Sequence, residues 1–401
     1  MTVKQIYELM NTVTGEVLGK TDLVAEDLSN VVDVGTEVFN ATAVDNYVKT
    51  LVNHIGKVIF VNRPYSGKIP SVLMDSWEFG SVLEKISCDT PAAEENESWD
   101  LVDGQEYKQD IFYKPTVSAK FFNSKVTFEV PMSFTEKQVK ESFSNAAQLN
   151  GFISMIYNAV DRSMTIKIDG LVMRTINSMI AQTLNADKTA FAGGYGTAST
   201  ARCVNLLKLY NDKFFPATGS TANPDALTAD KAIYDPDFIR FASYTMGVYV
   251  DRLASISTLF NVGGKDRFTD ANNLHVIMLS DFAKGADVYL QSDVRHNEMT
   301  RLPNYETVPY WQGSGQNYEF DSTSAINVKI DASTTVDIDG IVGVMFDRDA
   351  LGVSNLDRRV TTAYNAKAEF FNNYYKFDAG YFNDTNENFV VFFVSDEKTG
   401  S

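Results

Sequence analysis

A chain of 401 residues, 44% hydrophobic and 22% charged, has the length for two or three substructures that each bury a core. Its 52 acidic against 35 basic residues give a formal charge of −17, which excludes phosphate gripping as a main task, because counterion release needs clustered Lys and Arg. Cys88 and Cys203 are too few for a disulfide framework and are each expected as small buried residues of a reducing compartment. No window reaches the roughly 18 uncharged apolar residues of a membrane span. The first residues lack the apolar core of a signal peptide, so a soluble protein made in a cytoplasm is expected.

In chain order, residues 1–40 are weakly patterned: a short amphipathic start, then Gly15, Gly19 and Gly35 among scattered valines and acids. An extended arm without its own core is expected there. Thr42 with Asp45 predicts a capping box for a helix whose apolar face is Val44, Tyr47, Val48, Leu51, Val52 and Ile55. Gly56 ends it, and a strand is predicted over Val58–Val61. From Pro64 to about Pro115 the core pattern is lost among turn residues, Trp77, Trp99 and the acids Glu94, Glu95, Glu97, Asp100 and Asp103. With β alternation returning at Val126, Phe128 and Val130, this predicts a long hairpin with a polar, acidic tip projecting from the body. Pro131 is expected to stop the strand, and Ser133 with Glu136 to cap a short helix.

A stripe from Leu149 through Ile156, Met164 and Ile176 to Leu184 then predicts a helix of about 35 residues, with a bend or break favoured near Thr165–Gly170. Gly193–Gly196 marks a boundary to a mixed α/β lobe over about 190–340, with an exposed small-residue loop at 217–228. Asp235 caps a helix with Pro236 at its first position, its core face running from Phe238 through Tyr249 to Ile256 and Phe260, ended by Gly263-Gly264. Leu274–Leu279 reads as a buried strand, Ser280-Asp281 begins another helix, and Ile341–Phe346 is a further buried strand. Eleven aromatics then fall between Tyr364 and Phe393, interrupted by Asn365, Lys367, Glu369, Asn372, Asn373, Lys376 and Asp378. This mix predicts strands with one face in a core and the other against a neighbour, closing on the apolar run Phe389–Val394.

Chemistry finds little purchase. His54, His275 and His296 lie in three elements without metal-ligand spacing. Gly193–Thr197 lacks the trailing Gly-Lys-Ser/Thr of a phosphate loop and reads as a hinge. Asp337–Gly340 and Asn383–Asn388 do not complete an EF-hand and read as turns with local hydrogen bonds. Asp347 and Asp349, flanking Arg348, read as an ion-paired surface, and no Ser-His-Asp or Cys-His set can be drawn. No catalytic residue, cofactor or metal is expected; a hydrolase or transferase would need a pocket of convergent carboxylates in the 190–340 lobe.

The order of parts, an arm, a projecting hairpin, a long helix, an inserted α/β lobe and a return to strands, resembles the α+β HK97-type fold of tailed-bacteriophage major capsid proteins. The run from Gly340 through Ile341–Phe346 and Asp347-Arg348-Asp349-Ala350-Leu351-Gly352 is similar to the segment where such proteins leave the axial lobe, and residues 364–382 resemble the peripheral strands that follow. The resemblance implies an N-terminal arm over 1–63, an extended hairpin (E-loop) over 64–120, a peripheral domain of 121–190 with 341–401, and an axial domain over 191–340. It implies a major capsid protein that self-assembles as hexamers and pentamers into an icosahedral shell around double-stranded DNA, in the virion, after assembly in the bacterial host cytoplasm. Inter-subunit contacts are expected at Trp77, Trp99, Glu94, Glu95, Glu97, Tyr374 and Tyr375, and lumenal contacts at Arg162, Lys167 and Arg174. A separate scaffolding protein and a portal are the implied partners, with packaged DNA nearby by proximity and no membrane. Lys68, Lys85, Lys108 or Lys114 and Asn355 or Asn365 have the residue types of the crosslink some members form, without a matching motif. The alternative is another self-assembling component: a portal, sheath, surface-layer or encapsulin-like shell protein.

Overall fold

The structure is a computed structural model that describes residues 3–20, 24–40, 46–47, 50–51, 54, 69–74, 83–89, 91, 93, 95–107, 110, 112–217, 223–291, 305–311 and 325–396. Its elements in chain order are α1 (Val3–Leu18), α2 (Val31–Asn40), β1 (Leu73–Met74), β2 (Leu83–Cys88), β3 (Val117–Phe122), β4 (Lys125–Thr135), α3 (Glu136–Ser142) and α4 (Ala146–Ala186). There follow β5 (Cys203–Asn205), α5 (Leu206–Phe214), α6 (Ala229–Ala232), α7 (Pro236–Ala254), β6 (Leu274–Leu279), α8 (Ser280–Gln291) and β7 (Tyr305–Val308). The chain closes on β8 (Ile326–Lys329), β9 (Thr335–Ile338), β10 (Ile341–Asp347), β11 (Leu351–Asn365), β12 (Phe370–Asn383) and β13 (Phe389–Phe393). Two compact units result: Met1–Glu78 with Lys125–Val172 and Val353–Gly380, and Phe79–Ser124 with Met173–Gly352 and Tyr381–Ser401.

In the first unit, residues 1–40 are not an extended arm. Ile6, Leu9, Met10 and Val13 recur at helical spacing and are buried, as are Val31, Val34 and Val38. Gly35 matters for the packing of α2: a Cβ there would meet the Phe143 Cβ at 2.6 Å. Of the helix predicted over 44–55, Tyr47 and Leu51 are helical and buried; its capping pair Thr42/Asp45 and the strand Val58–Val61 lie outside the described residues.

The sheet of this unit runs β1-β11-β12-β4, with β12 and β4 antiparallel in unbroken register from Phe370↔Thr135 to Gly380↔Lys125. Pro131 does not end β4. It sits opposite Tyr374 in the outermost strand of that order, where a missing N–H is tolerated. The helix cap accordingly falls two residues later than Ser133: Thr135 and Gln138 form the capping box of α3, with Gln138 N donating to Thr135 Oγ1 at 3.2 Å. From Phe370 to Ala379 burial along β12 alternates, with Phe371, Asn373, Tyr375, Phe377 and Ala379 inward, and the phase switches at Gly380. Edge-to-face packing of Phe134 on Phe152, 5.4 Å between centroids, seats the sheet on α4.

Helix α4 is one unbroken element of 41 residues, so the helix does not break near Gly170; the inward stripe is the predicted one. Its residues to Val172 belong to the first unit and those from Met173 to the second.

The second unit is built on the sheet β5-β13-β10-β6-β7. β13 lies between β10, antiparallel, and β5, parallel, and all five of its residues are buried. Helix α7 covers the sheet, placing Tyr249 5.3 Å from Phe392. Its Asp235 cap holds as predicted, accepting from Phe238 N at 2.8 Å. The helix stops at Ala254, before Gly263-Gly264, and Ile256 is exposed rather than inward. Trp311 is wholly buried and donates its indole N–H to the Ile341 carbonyl at 2.9 Å. The aromatic C-terminus therefore serves two sheets: β11 and β12 pair beside β4, whereas β13 enters the other sheet.

Candidate functional site

The hairpin expected between 64 and 120 is a two-stranded ribbon, β2 against β3, in register from Leu83↔Phe122 to Cys88↔Val117. Val126, Phe128 and Val130 are not its second arm; they lie in β4. Residues directly opposite share a face in an antiparallel pair. One face carries Leu83/Phe122, Lys85/Lys120 and Ser87/Ser118; the other carries Glu84/Phe121, Ile86/Ala119 and Cys88/Val117.

The first face is anchored within the second unit. Lys85 and Lys120 stand directly opposite each other, an arrangement that repels unless an anion lies between. Asp384, in the turn between β12 and β13, supplies it: Oδ2 is 3.1 Å from Lys85 Nζ and Oδ1 is 2.9 Å from Lys120 Nζ. Lys85 also donates to the Asp349 carbonyl at 2.7 Å, and Glu387 bridges Lys85 and Arg267 at 3.5 and 3.1 Å. Burial pushes the Asp384 carboxyl upward, but the Lys120 hydrogen bond and the Lys85 charge outweigh it and hold the pKa below the ordinary value. Burial raises Glu387, with Asp347 and Asp384 adding to the rise and Lys85 and Arg267 opposing it. The turn 383–388, expected as a turn with local hydrogen bonds, is thus also a charged seat for the ribbon.

The second face and the segment beyond it are apolar and exposed. Ile86 is 69% and Phe121 62% accessible, and Val117 is also exposed. Farther out, Trp99 is 95% and Phe112 87% accessible, with Leu101, Val102 and Tyr113 exposed beside Glu95, Asp100, Asp103 and Glu106. Large aromatics held in water with interleaved charge are the signature of a protein-binding surface. Trp99 and Glu95 therefore lie on this exposed surface; Glu97 begins a 3-10 turn, Glu97–Trp99; Trp77 and Glu94 lie outside the described residues.

The other sequence-chosen residues are scattered. Tyr374 is half-buried on the outer sheet face with Lys376 Nζ 5.7 Å from its ring centre, whereas Tyr375 is fully buried in its own chain's core. That outer face is polar: Lys376 pairs with Glu129 at 3.1 Å, and Asp378 takes Arg359 at 2.8 Å and Thr127 at 2.6 Å. Arg162 and Lys167 are exposed on α4; Arg174 is half-buried, 5.6 Å from the Tyr381 ring centre. Cys203 is buried, and burial raises its thiol pKa, but Cys88 is exposed on the ribbon, against expectation.

His54 meets Glu16 at 2.9 Å, and burial lowers the pKa of His275; His296 lies outside the described residues. Asp347 accepts from Thr269 Oγ1 at 2.6 Å and from Asp349 N at 2.9 Å, which closes a turn after β10. Among the described residues no group of three His, Cys, Asp or Glu could hold a metal ion, and no helix is long and apolar enough to cross a membrane.

No curated protein matches the chain. Among solved structures it is similar to a chain of the capsid structure of Staphylococcus phage Andhra, at 7% identity and TM-score 0.49, covering 81% of this chain and 83% of that one. A chain in the capsid structure of cyanophage P-SCSP1u matches at 10% identity and TM-score 0.43, covering 81% and 87%. A chain of the mature capsid of bacteriophage PhiM1 matches at 11% identity and TM-score 0.43, covering 83% and 88%. The model of the Phi29-like phage major capsid protein family matches residues 10–393, nearly the whole sequence, and the chain belongs to that family.

Proposed function

We propose that this structural capsid protein assembles as hexamers and pentamers into an icosahedral shell around double-stranded DNA, with the ribbon and its tip as a seam between copies. The observation that carries the reading is the exposed apolar face of Ile86, Val117 and Phe121, continued by Trp99 and Phe112. Large apolar side chains gathered on one exposed face mark a protein-binding surface, and a shell supplies the partner as another copy of the chain. Family membership and the order of hairpin, long helix, α/β lobe and returning strands support the HK97-type assignment.

On this reading 1–63, helical at α1 and α2, is the N-terminal arm and 64–120 the E-loop. Residues 121–190 with 341–401 form the peripheral domain and 191–340 is the axial domain, with β10 and β13 of the former pairing with β6 and β5 of the latter. Arg162, Lys167 and Arg174 are lumenal contacts. DNA lies close without being gripped, as the charge of −17 favours. The protein has no catalytic role; a separate scaffolding protein and a portal complete assembly in the host cytoplasm. The test is Ile86→Glu with Phe121→Glu. Both positions are exposed in the single chain, so the variant is expected to keep the wild-type melting temperature and lose sedimenting particles. Particles forming at wild-type yield would remove the ribbon from the seam.

A further inference from the structure

We infer that Asp384 is a carboxylate clamp that fixes how the β2–β3 ribbon is held on the second unit, so that neutralising it frees the ribbon while the sheet beneath stays folded. A two-stranded ribbon of this length is marginal in water by itself. This one also carries Lys85 directly opposite Lys120, so its own register brings two like charges together. Each Asp384 oxygen takes one of those ammonium groups, at 3.1 and 2.9 Å. One side chain therefore ties both strands and cancels the repulsion that would part them.

The clamp is built in rigidly. The Asp384 side chain is only 4% accessible, its own N–H donates to the Ala350 carbonyl at 2.7 Å, and Oδ1 accepts from Asn386 N at 3.1 Å. Apart from Phe382, whose ring lies 5.8 Å from Lys85 Nζ as well as beside Phe122, the other contacts among the described residues hold one strand or the other. Lys85 meets the Asp349 carbonyl and Glu387, Lys120 meets Thr385 Oγ1 at 3.4 Å, and Phe122 lies 5.1 Å from Phe382. Just past β2, Asp89 pairs with Lys265 at 2.6 Å. The charged groups around the clamp are thus Lys85, Lys120, Glu387 and Arg267, with Asp347 acting on Glu387. An amide in place of the carboxylate leaves two ammonium groups facing each other, with Glu387 in reach of Lys85 alone.

The inference concerns the single chain and stands apart from the shell reading, since its readout needs no assembly. Hydrogen exchange of the unassembled chain at neutral pH, read by mass spectrometry, compares wild type with D384N. Amides of 83–88 and 117–122 are expected to exchange at least tenfold faster, with those of 341–347 and 389–393 unchanged. Because Asp384 directly follows β12 in the turn that leads to β13, D384N could disturb the sheet. Lys120→Met, on the ribbon itself, is the second variant, with the same localised acceleration expected. If K120M leaves ribbon exchange unchanged, or accelerates ribbon and sheet alike, the clamp is overturned.

Discussion

At the scale of single residues, the buried carboxylates beside the ribbon set an acid sensitivity whose sign can be worked out. Asp384 has a folded pKa below its unfolded value, so its stabilisation is complete above the ordinary Asp pKa of about 3.9 and is lost as pH falls through the folded value. Glu387 acts oppositely. Its folded pKa is raised, so it opposes folding as pH climbs past its unfolded value. The two contributions separate by variant: D384N should flatten the melting-temperature profile below about pH 4 relative to wild type. Parallel profiles would mean that Asp384 carries no proton-linked stability. None of this was legible in the sequence. Lys85 and Lys120 lie 299 and 264 positions from Asp384, and an Asn/Asp-rich run reads as a turn whether or not a distant ammonium sits on it. The Asp235 cap was legible because both its partners are local.

At the scale of elements, β13 is the piece on which the second unit depends. It is flanked by β5 and β10, and its five residues are all buried. Cutting the chain after Asp378 removes β13 and should abolish folding, seen as loss of a cooperative melting transition. Phe392→Ala, which opens a cavity beside Tyr249, should cost about 3–5 kcal/mol in denaturant unfolding. A truncated chain that still melted cooperatively would contradict the placement of β13.

The element types here were readable from period alone: the inward stripe of α4, and the apolar runs of β6, β10 and β13. Partners were not, because an apolar strand does not announce which sheet it joins. The final aromatics therefore read as one wall, although β12 and β13 enter different sheets. Residues 1–40 read as an arm because glycines and acids diluted the spacing of Ile6, Leu9, Met10 and Val13, which is helical. Pro131 misled because an edge strand accommodates what a central strand cannot.

At the scale of the whole molecule, the chain combines two well-filled sheets with a ribbon and tip whose large side chains are left outside. Trp99, Phe112, Phe121 and Ile86 are exposed in the single chain beside interleaved acids that favour solubility, and the proposed seam is what would cover them. The shell class was legible from the order of parts. The residues of the proposed seam are not something one chain's sequence can single out, because a seam is half supplied by another copy, and the buried ring of Tyr375 shows how an aromatic in a mixed strand can belong wholly to its own core. The most direct measurement is cryo-electron microscopy of the particles formed when the chain is expressed alone and with the scaffolding protein proposed above. Closed icosahedral shells are predicted, with density for Trp99 and Phe112 seated on an adjacent copy. Rings, tubes or dispersed monomers, or shells in which that tip stands free in solvent, would contradict the account.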